Sequence, residues 1–217
     1  MPSRRNVLQL VAGSALIAAL PRAAFAESPP APIRFRVLRD GKPIGSHAIV
    51  FKRSGRVLRV STAIDLEVKI AFIPAFRFIH RGEEDWEDQR LVSLRGTTDE
   101  NGERYEVNGT LANGGLEVTA PSGTTIAPAP AFTTNNLWNP TALQAKNLID
   151  AHHGGLVGLV GRREGEEDIA IGGKLLTATR YHIISPFLAG TLWYDQGNRW
   201  RKSVFELKGE QVKYQPI

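Results

Sequence analysis

Leu58, Val60, Thr62, Ile64, Leu66, Val68, Ile70 and Phe72 recur at every second position, with Arg59, Ser61, Ala63, Asp65, Glu67 and Lys69 between them. A helix turns about 100° per residue and cannot sort side chains this way, so residues 58–72 read as a strand with one dry face and one wet face. Extended at about 3.3 Å per residue, such a strand reaches roughly 50 Å. A compact domain of this size has a radius of gyration of only about 16 Å. The strand must therefore bend or break. The fold class that follows is mainly β: a strongly curved antiparallel sheet, an open barrel or half-barrel, with its apolar face on the inside.

Turn signals before and after this stretch support a meander. Asp40-Gly41, Ser54-Gly55, Asn101-Gly102, Asn113-Gly114 and Gly172-Gly173 separate short alternating runs. Pro74 reads as a bulge or corner, and Glu83, Glu84 and Asp85 after Gly82 as an acidic bend. Residues 121–134, with alternating Ala and Pro, read as a loop or crossover. One main helix is expected next, capped by Asn139 and started by Pro140. Its apolar stripe is Ala142, Ala145, Leu148 and Ile149, and Gly154-Gly155 stop it.

The first residues carry a different message. Arg4 and Arg5 precede a modest apolar run at residues 7–20, and Ala24-Phe25-Ala26 closes it with small residues. This reads as an export leader cleaved after Ala26, with the paired arginines favouring the twin-arginine route. The run is shorter than the roughly 20 apolar residues that span a bilayer, so no transmembrane anchor is expected. Residues 27–217 then form a single β-rich domain in the periplasm. The leader takes three of the 27 basic residues, and 24 remain against 22 acidic ones. So small an excess, without a basic stripe, excludes the electrostatic footprint of a nucleic-acid binder. With no cysteine in the chain, thiol and iron-sulfur chemistry are excluded and stability must come from packing.

His80, Glu84 and Trp86 form the densest polar and aromatic group. A histidine beside a carboxylate suits acid-base work, but no nucleophile elbow, phosphate loop or dinucleotide fingerprint accompanies it. His152-His153 lack a metal-ligand spacing. The reading is therefore non-enzymatic, with no catalytic residue, metal or cofactor assigned. A hydrolase or isomerase using His80 and Glu84 is the less favoured alternative. Trp86, Trp138, Trp193 and Trp200 with Phe76, Phe78 and Phe132 offer enough aromatic surface to line a pocket, though such residues more often form core. Arg180, with Asp195 on a neighbouring strand, reads as a structural ion pair or as the polar handle of that pocket. His80, Glu84, Trp86, Trp138, Arg180 and Trp193 are the candidate ligand-binding residues.

Six pieces in order resemble one family: Asp40-Gly41-Lys42-Pro43-Ile44-Gly45; His80 with Glu84 and Trp86; Thr98-Asp99-Glu100-Asn101-Gly102; Leu137-Trp138-Asn139; Ala178-Thr179-Arg180-Tyr181; and Leu192-Trp193-Tyr194-Asp195. The family is that of exported bacterial proteins known as domain of unknown function 6134. It is in turn distantly similar to periplasmic half-barrels of the lipoprotein-carrier type. That resemblance implies a groove holding a lipid-like or other hydrophobic small molecule between a curved sheet and helices. An envelope-associated interaction module, with a protein partner not specified by the sequence, is the alternative.

Overall fold

Alternation and short turns build a sheet. The computed structural model describes residues 28–70, 73–207 and 209–217. The leader expected at 1–26 and the place of Phe72 on its strand lie outside the described residues. The first meander runs through β1 (Ile33–Arg39), β2 (Lys42–Ser54), β3 (Val57–Ile70), β4 (Ile73–Glu87), β5 (Arg90–Glu100), β6 (Glu103–Ala112), β7 (Gly115–Ala120) and β8 (Gly123–Pro128). A crossing segment follows, containing the small ribbon of β9 (Asn147–Ile149) and β10 (Leu156–Gly158). The second meander comprises β11 (Val160–Ile171), β12 (Lys174–Ile184), β13 (Ala189–Asp195), β14 (Trp200–Leu207) and β15 (Glu210–Pro216).

Pairing between β15 and β1, with Val37 opposite Tyr214, joins the two meanders into one antiparallel sheet of 13 strands. The sheet is not closed into a barrel, and its free edges are β8 and β11. In β3 the expected alternation holds over the described part: Val60, Thr62 and Ile64 are buried, whereas Arg59, Glu67 and Lys69 are exposed. The β3–β4 register slips one residue between Val68 opposite Phe76 and Lys69 opposite Pro74, the irregularity expected at that proline.

The chain leaves the sheet at one free edge and re-enters it at the other. Residues 129–159 must therefore cross from edge to edge, and they cross the apolar face. Phe132, Leu143, Leu148 and Ile149 of this strap share one buried cluster with Phe35, Leu94, Leu116, Ile183 and Phe205 of the sheet. Thirteen flat strands at about 4.8 Å spacing would be almost 60 Å wide. Side chains of β7 and β14 reach the same cluster only because the sheet curls around the strap. At the far end a Cβ on Gly161 of β11 would stand 2.0 Å from the Leu143 carbonyl oxygen, so a glycine is required where strap and edge strand touch.

The strap corrects one expectation about fold class: there is no main helix over residues 140–153. Two short 3₁₀ turns, Thr134–Trp138 and Pro140–Gln144, are followed by β9. Asn139 does cap the second turn, accepting from Thr141 N at 3.1 Å, and Pro140 does open it. Ala145 then becomes extended, because Leu148 and Ile149 pair with Val157 and Leu156 and Ile149 N donates to the Phe132 carbonyl at 2.8 Å. A helix would have to give up those pairings. Its apolar spacing is instead met by a folded strap that presents the same residues to the sheet.

Two further expectations change for the same reason. Part of the 121–134 loop is strand β8, the edge from which the strap departs. The acidic bend is not a bend: Glu83, Glu84 and Asp85 continue β4, with Glu84 and Trp86 buried and Asp85 facing outward to Arg59 at 2.7 Å.

Gly161→Ala should be costly because the clash is with backbone and no side-chain rotation relieves it. Overpacking of about 1–3 kcal/mol corresponds to a fall in Tm of very roughly 2–12 °C in a chain of this length. Gly158→Ala, three residues away with nothing within 4 Å of the added Cβ, should leave the thermal melt within about 0.5 kcal/mol of the parent.

Candidate functional site

The strap is fixed to the sheet through one carboxylate. Glu84 lies in β4, three residues from its end, and is 2 % exposed, with its side chain pointing into the core. Its Oε1 accepts from Thr133 Oγ1 at 2.5 Å, and its Oε2 accepts from Asn136 Nδ2 at 2.6 Å and from Trp86 Nε1 at 3.1 Å. The two strap residues are themselves locked by a reciprocal cap. Thr133 Oγ1 accepts from Asn135 N at 3.0 Å, while Asn136 Oδ1 accepts from Thr133 N at 2.7 Å. Burial pushes the Glu84 carboxyl above its usual range, against the pull of its three donors.

Four residues before Glu84, on the same face of β4, His80 is fully buried. Its Nδ1 lies 3.0 Å from Thr98 Oγ1 and its Nε2 lies 3.1 Å from Asn135 Nδ2. With the Asn135 amide as donor, the ring accepts at Nε2 and donates to Thr98 from Nδ1, a neutral tautomer. Burial, reinforced by the neighbouring His152, lowers its pKa to about 2. Between His80 and Glu84, a Cβ on Gly82 would stand 2.7 Å from Asn135 Nδ2. Opposite it in β5, Gly96 would meet the Ala151 carbonyl oxygen at 2.5 Å. This bare patch lets the Asn135 side chain and the Ala151 backbone lie directly on the sheet.

His80 and Glu84 thus hold the strap at adjacent points through separate partners, and both are buried. Such a pair offers no accessible acid or base, so the geometry gives the hydrolase alternative no support. Two more histidines are held neutral, His47 buried and His152 half-buried. His47 sits edge-on to Phe35, Trp200 and Tyr214 at 6.5, 5.6 and 5.7 Å, with neither ring nitrogen partnered. Burial lowers its pKa to about 3. His152 stacks edge-on against His80 at 4.5 Å, and burial lowers its pKa to about 4. Its neighbour His153 bridges Asp150 at 3.2 Å and Glu100 at 3.0 Å, a second tie between strap and sheet.

The structure brings together four of the six candidate ligand-binding residues. Trp138 meets the Trp86 ring at 6.0 Å and the Phe51 ring at 5.1 Å, adjoining the Glu84 anchor. Arg180 and Trp193 lie elsewhere, directly opposite each other on β12 and β13. Trp193 belongs to a separate apolar cluster with Ile169 and Ala178, on the face of the sheet away from the strap. Its Nε1 donates to Glu167 Oε1 at 2.5 Å, and Lys202 covers its ring at 4.6 Å. Arg180 pairs with Glu164 and Glu167, each at 3.1 Å, and not with Asp195, whose partner is Arg201 at 3.8 Å.

Sequence reasoning missed Thr133, Asn135, Asn136 and Thr98. The Thr133-x-x-Asn136 capping spacing and the lone glycines inside two strands, Gly82 and Gly96, are the signals that point to them.

Open space remains beside the strap. A recess of about 440 Å³ lies between edge strand β8 and the strap, its apolar wall including Ala127, Ala131, Phe132, Ile149 and Leu156. A second recess of about 350 Å³ sits at the ends of β12–β15, with His182, Phe205 and Glu206 in its lining. Among the described residues no His, Asp or Glu cluster is arranged to hold a metal ion, and no helix is long and apolar enough to cross a membrane.

The family model "Domain of unknown function (DUF6134)" matches residues 35–217, so the chain belongs to that family. Among solved structures, a β-barrel-like protein of domain of unknown function DUF1849 from Brucella abortus superposes with a TM-score of 0.64 at 12 % identity, covering 86 % of this chain and 94 % of that one. At that identity the likeness is one of fold. No curated protein matches.

Glu84→Ala would strand three buried donors. A loss of roughly 3 kcal/mol or more should lower Tm by about 6–12 °C, with Glu84→Gln milder because an amide oxygen still accepts. Acid should also destabilise the fold. His47, His80 and His152 titrate far lower folded than the 6.5 of the free side chain. Between that value and about 4 the unfolded chain binds more protons, and stability falls as pH falls. Glu84, with its pKa raised, acts in the opposite sense above 4.5, but it is one group against three. Melts from pH 7 to pH 4 should show Tm declining, and His47→Phe should flatten that decline.

Proposed function

Starting from membership of the DUF6134 family and from an open sheet whose apolar face is only partly covered, we propose that this protein is a non-enzymatic, periplasmic binder of lipid-like or other hydrophobic small molecules. It acts after cleavage of the leader behind Ala26. The observation that carries this reading is the recess of about 440 Å³ between β8 and the strap. Its volume falls in the range of about 300–1,000 Å³ typical of small-molecule sites. Phe132 and Ile149, both buried, form its floor, and Leu156, 42 % exposed, stands at its rim.

The strap supports the same reading. It fills the centre of the concave face, so a ligand of the half-barrel sits beside it and not beneath it. The Glu84 anchor, with Trp86 and Trp138 packed against it, serves the site indirectly by holding the strap wall in place. Trp86 and Phe132 are in ring contact at 5.9 Å, and Phe132 is common to the anchor and the recess. Arg180 and Trp193 then stabilise the outer face of the sheet and take no part in binding.

Delipidated full-length protein should bind a fluorescent fatty acid saturably. Ala145→Trp, placed where a half-buried alanine lines the recess, should weaken binding at least tenfold with the thermal melt preserved. Absence of saturable binding, together with no co-purified lipid by mass spectrometry, would remove this reading.

A further inference from the structure

The recess has two chemically different walls, and the difference selects a ligand. The β8 side and the floor are apolar. The opposite wall, from the second 3₁₀ turn to β9, exposes Thr141, Gln144, Lys146 and Asn147. Lys146 is the only charged residue in the lining, and no ion pair engages its ammonium among the described residues. No carboxylate lines the recess. A hydroxyl, two carboxamides and an ammonium therefore face an apolar floor, a set able to donate hydrogen bonds to a negative group without a nearby acid to repel it.

Resting on the reading above, we propose that the ligand is a single-chain amphiphile with a carboxylate head, a fatty acid. Its chain lies over Phe132 and Ile149, and its head pairs with Lys146. The other recess makes the contrast plain: Glu206 is in its lining, so an anionic head meets a like charge there. Position in the chain also fits. Lys146 lies at the turn between the 3₁₀ segment and β9, and its backbone carbonyl is held by Leu159 N at 2.9 Å. The strap thus fixes the base of the side chain while the ammonium remains in water, where a carboxylate head can be met without stripping two buried charges of solvent.

The test is displacement of the uncharged dye Nile red from delipidated full-length protein by three amphiphiles of equal chain length: laurate, dodecanol and dodecyltrimethylammonium. Laurate should displace the dye at roughly three- to tenfold lower concentration than the other two, and the advantage should shrink at high salt. Lys146→Gln should abolish the advantage, so that laurate and dodecanol displace the dye from this variant at equal concentration, and Lys146→Glu should transfer it to the ammonium amphiphile. Equal displacement by laurate and dodecanol, or an advantage that survives Lys146→Gln, overturns the head-group assignment. The hydrophobic-binding reading would still stand if Ala145→Trp abolished dodecanol displacement. Dye binding insensitive to all three amphiphiles and to Ala145→Trp would overturn both.

Discussion

The link between the two free edges of the sheet governs this fold. Because β15 pairs with β1, the two meanders meet in the middle of the sheet, and the connection from β8 to β11 has to span its whole width. Apolar side chains on the inner face need covering, and the connecting segment is the only part of the described chain outside the sheet long enough to cover them. Topology and hydrophobic burial therefore ask for the same thing. Residues 129–159 become a strap lying across the open barrel, and the sheet curls to meet it.

A strap without continuous secondary structure carries many backbone and side-chain polar groups into the core, and each needs a partner. Glu84 and the Thr133–Asn136 cap answer this need together. One carboxylate takes three donors, and the cap residues that supply two of them satisfy each other. A charge-capable group in this position costs desolvation, as its raised pKa records. What it provides is register: a strap shifted by one residue would bring Leu137 in place of Asn136, or Phe132 in place of Thr133, and lose one of its two donors to Glu84. Gly96 and Gly161 complete the fit by removing side chains where the strap backbone touches the sheet, and Gly82 leaves room for the Asn135 side chain.

Covering the inner face in this way changes what a half-barrel can bind. The centre is occupied by the chain itself, and the free volume is displaced to the margin, where edge strand β8 and the strap diverge. That margin combines a dry floor with a polar wall bearing a single positive charge, so shape and electrostatics favour an amphiphile over a wholly apolar guest. On the outer face Trp193 is held by Glu167 and Lys202, and the recess at the ends of β12–β15 carries Glu206 in its lining.

Much of the sheet was legible in the residues. Alternation from Leu58 onward and the Asn-Gly and Asp-Gly turns specify strands and hairpins locally, through the two-residue repeat of side-chain direction and the positive φ those turns require. Asn101, at φ 55°, and Gly102, at φ 92°, are one such turn. The grouping of His80, Glu84 and Trp86 was visible in their spacing, but its inward orientation was not, because three successive acidic residues after Gly82 read as a bend and not as the continuation of β4. The strap was not. Ala142, Ala145, Leu148 and Ile149 satisfy a helical spacing, and only contact with a sheet assembled from distant segments makes extended pairing of Leu148 and Ile149 the better choice. Likewise, Thr133 and Asn136 stand 49 and 52 positions from the carboxylate they anchor. Sequence alone determined the local periodicities, and with them a one-faced antiparallel sheet. Tertiary structure decided what fills that sheet and where space is left, because burial of the strap depends on which strands become the edges, a property of the whole chain's pairing and of no segment within it.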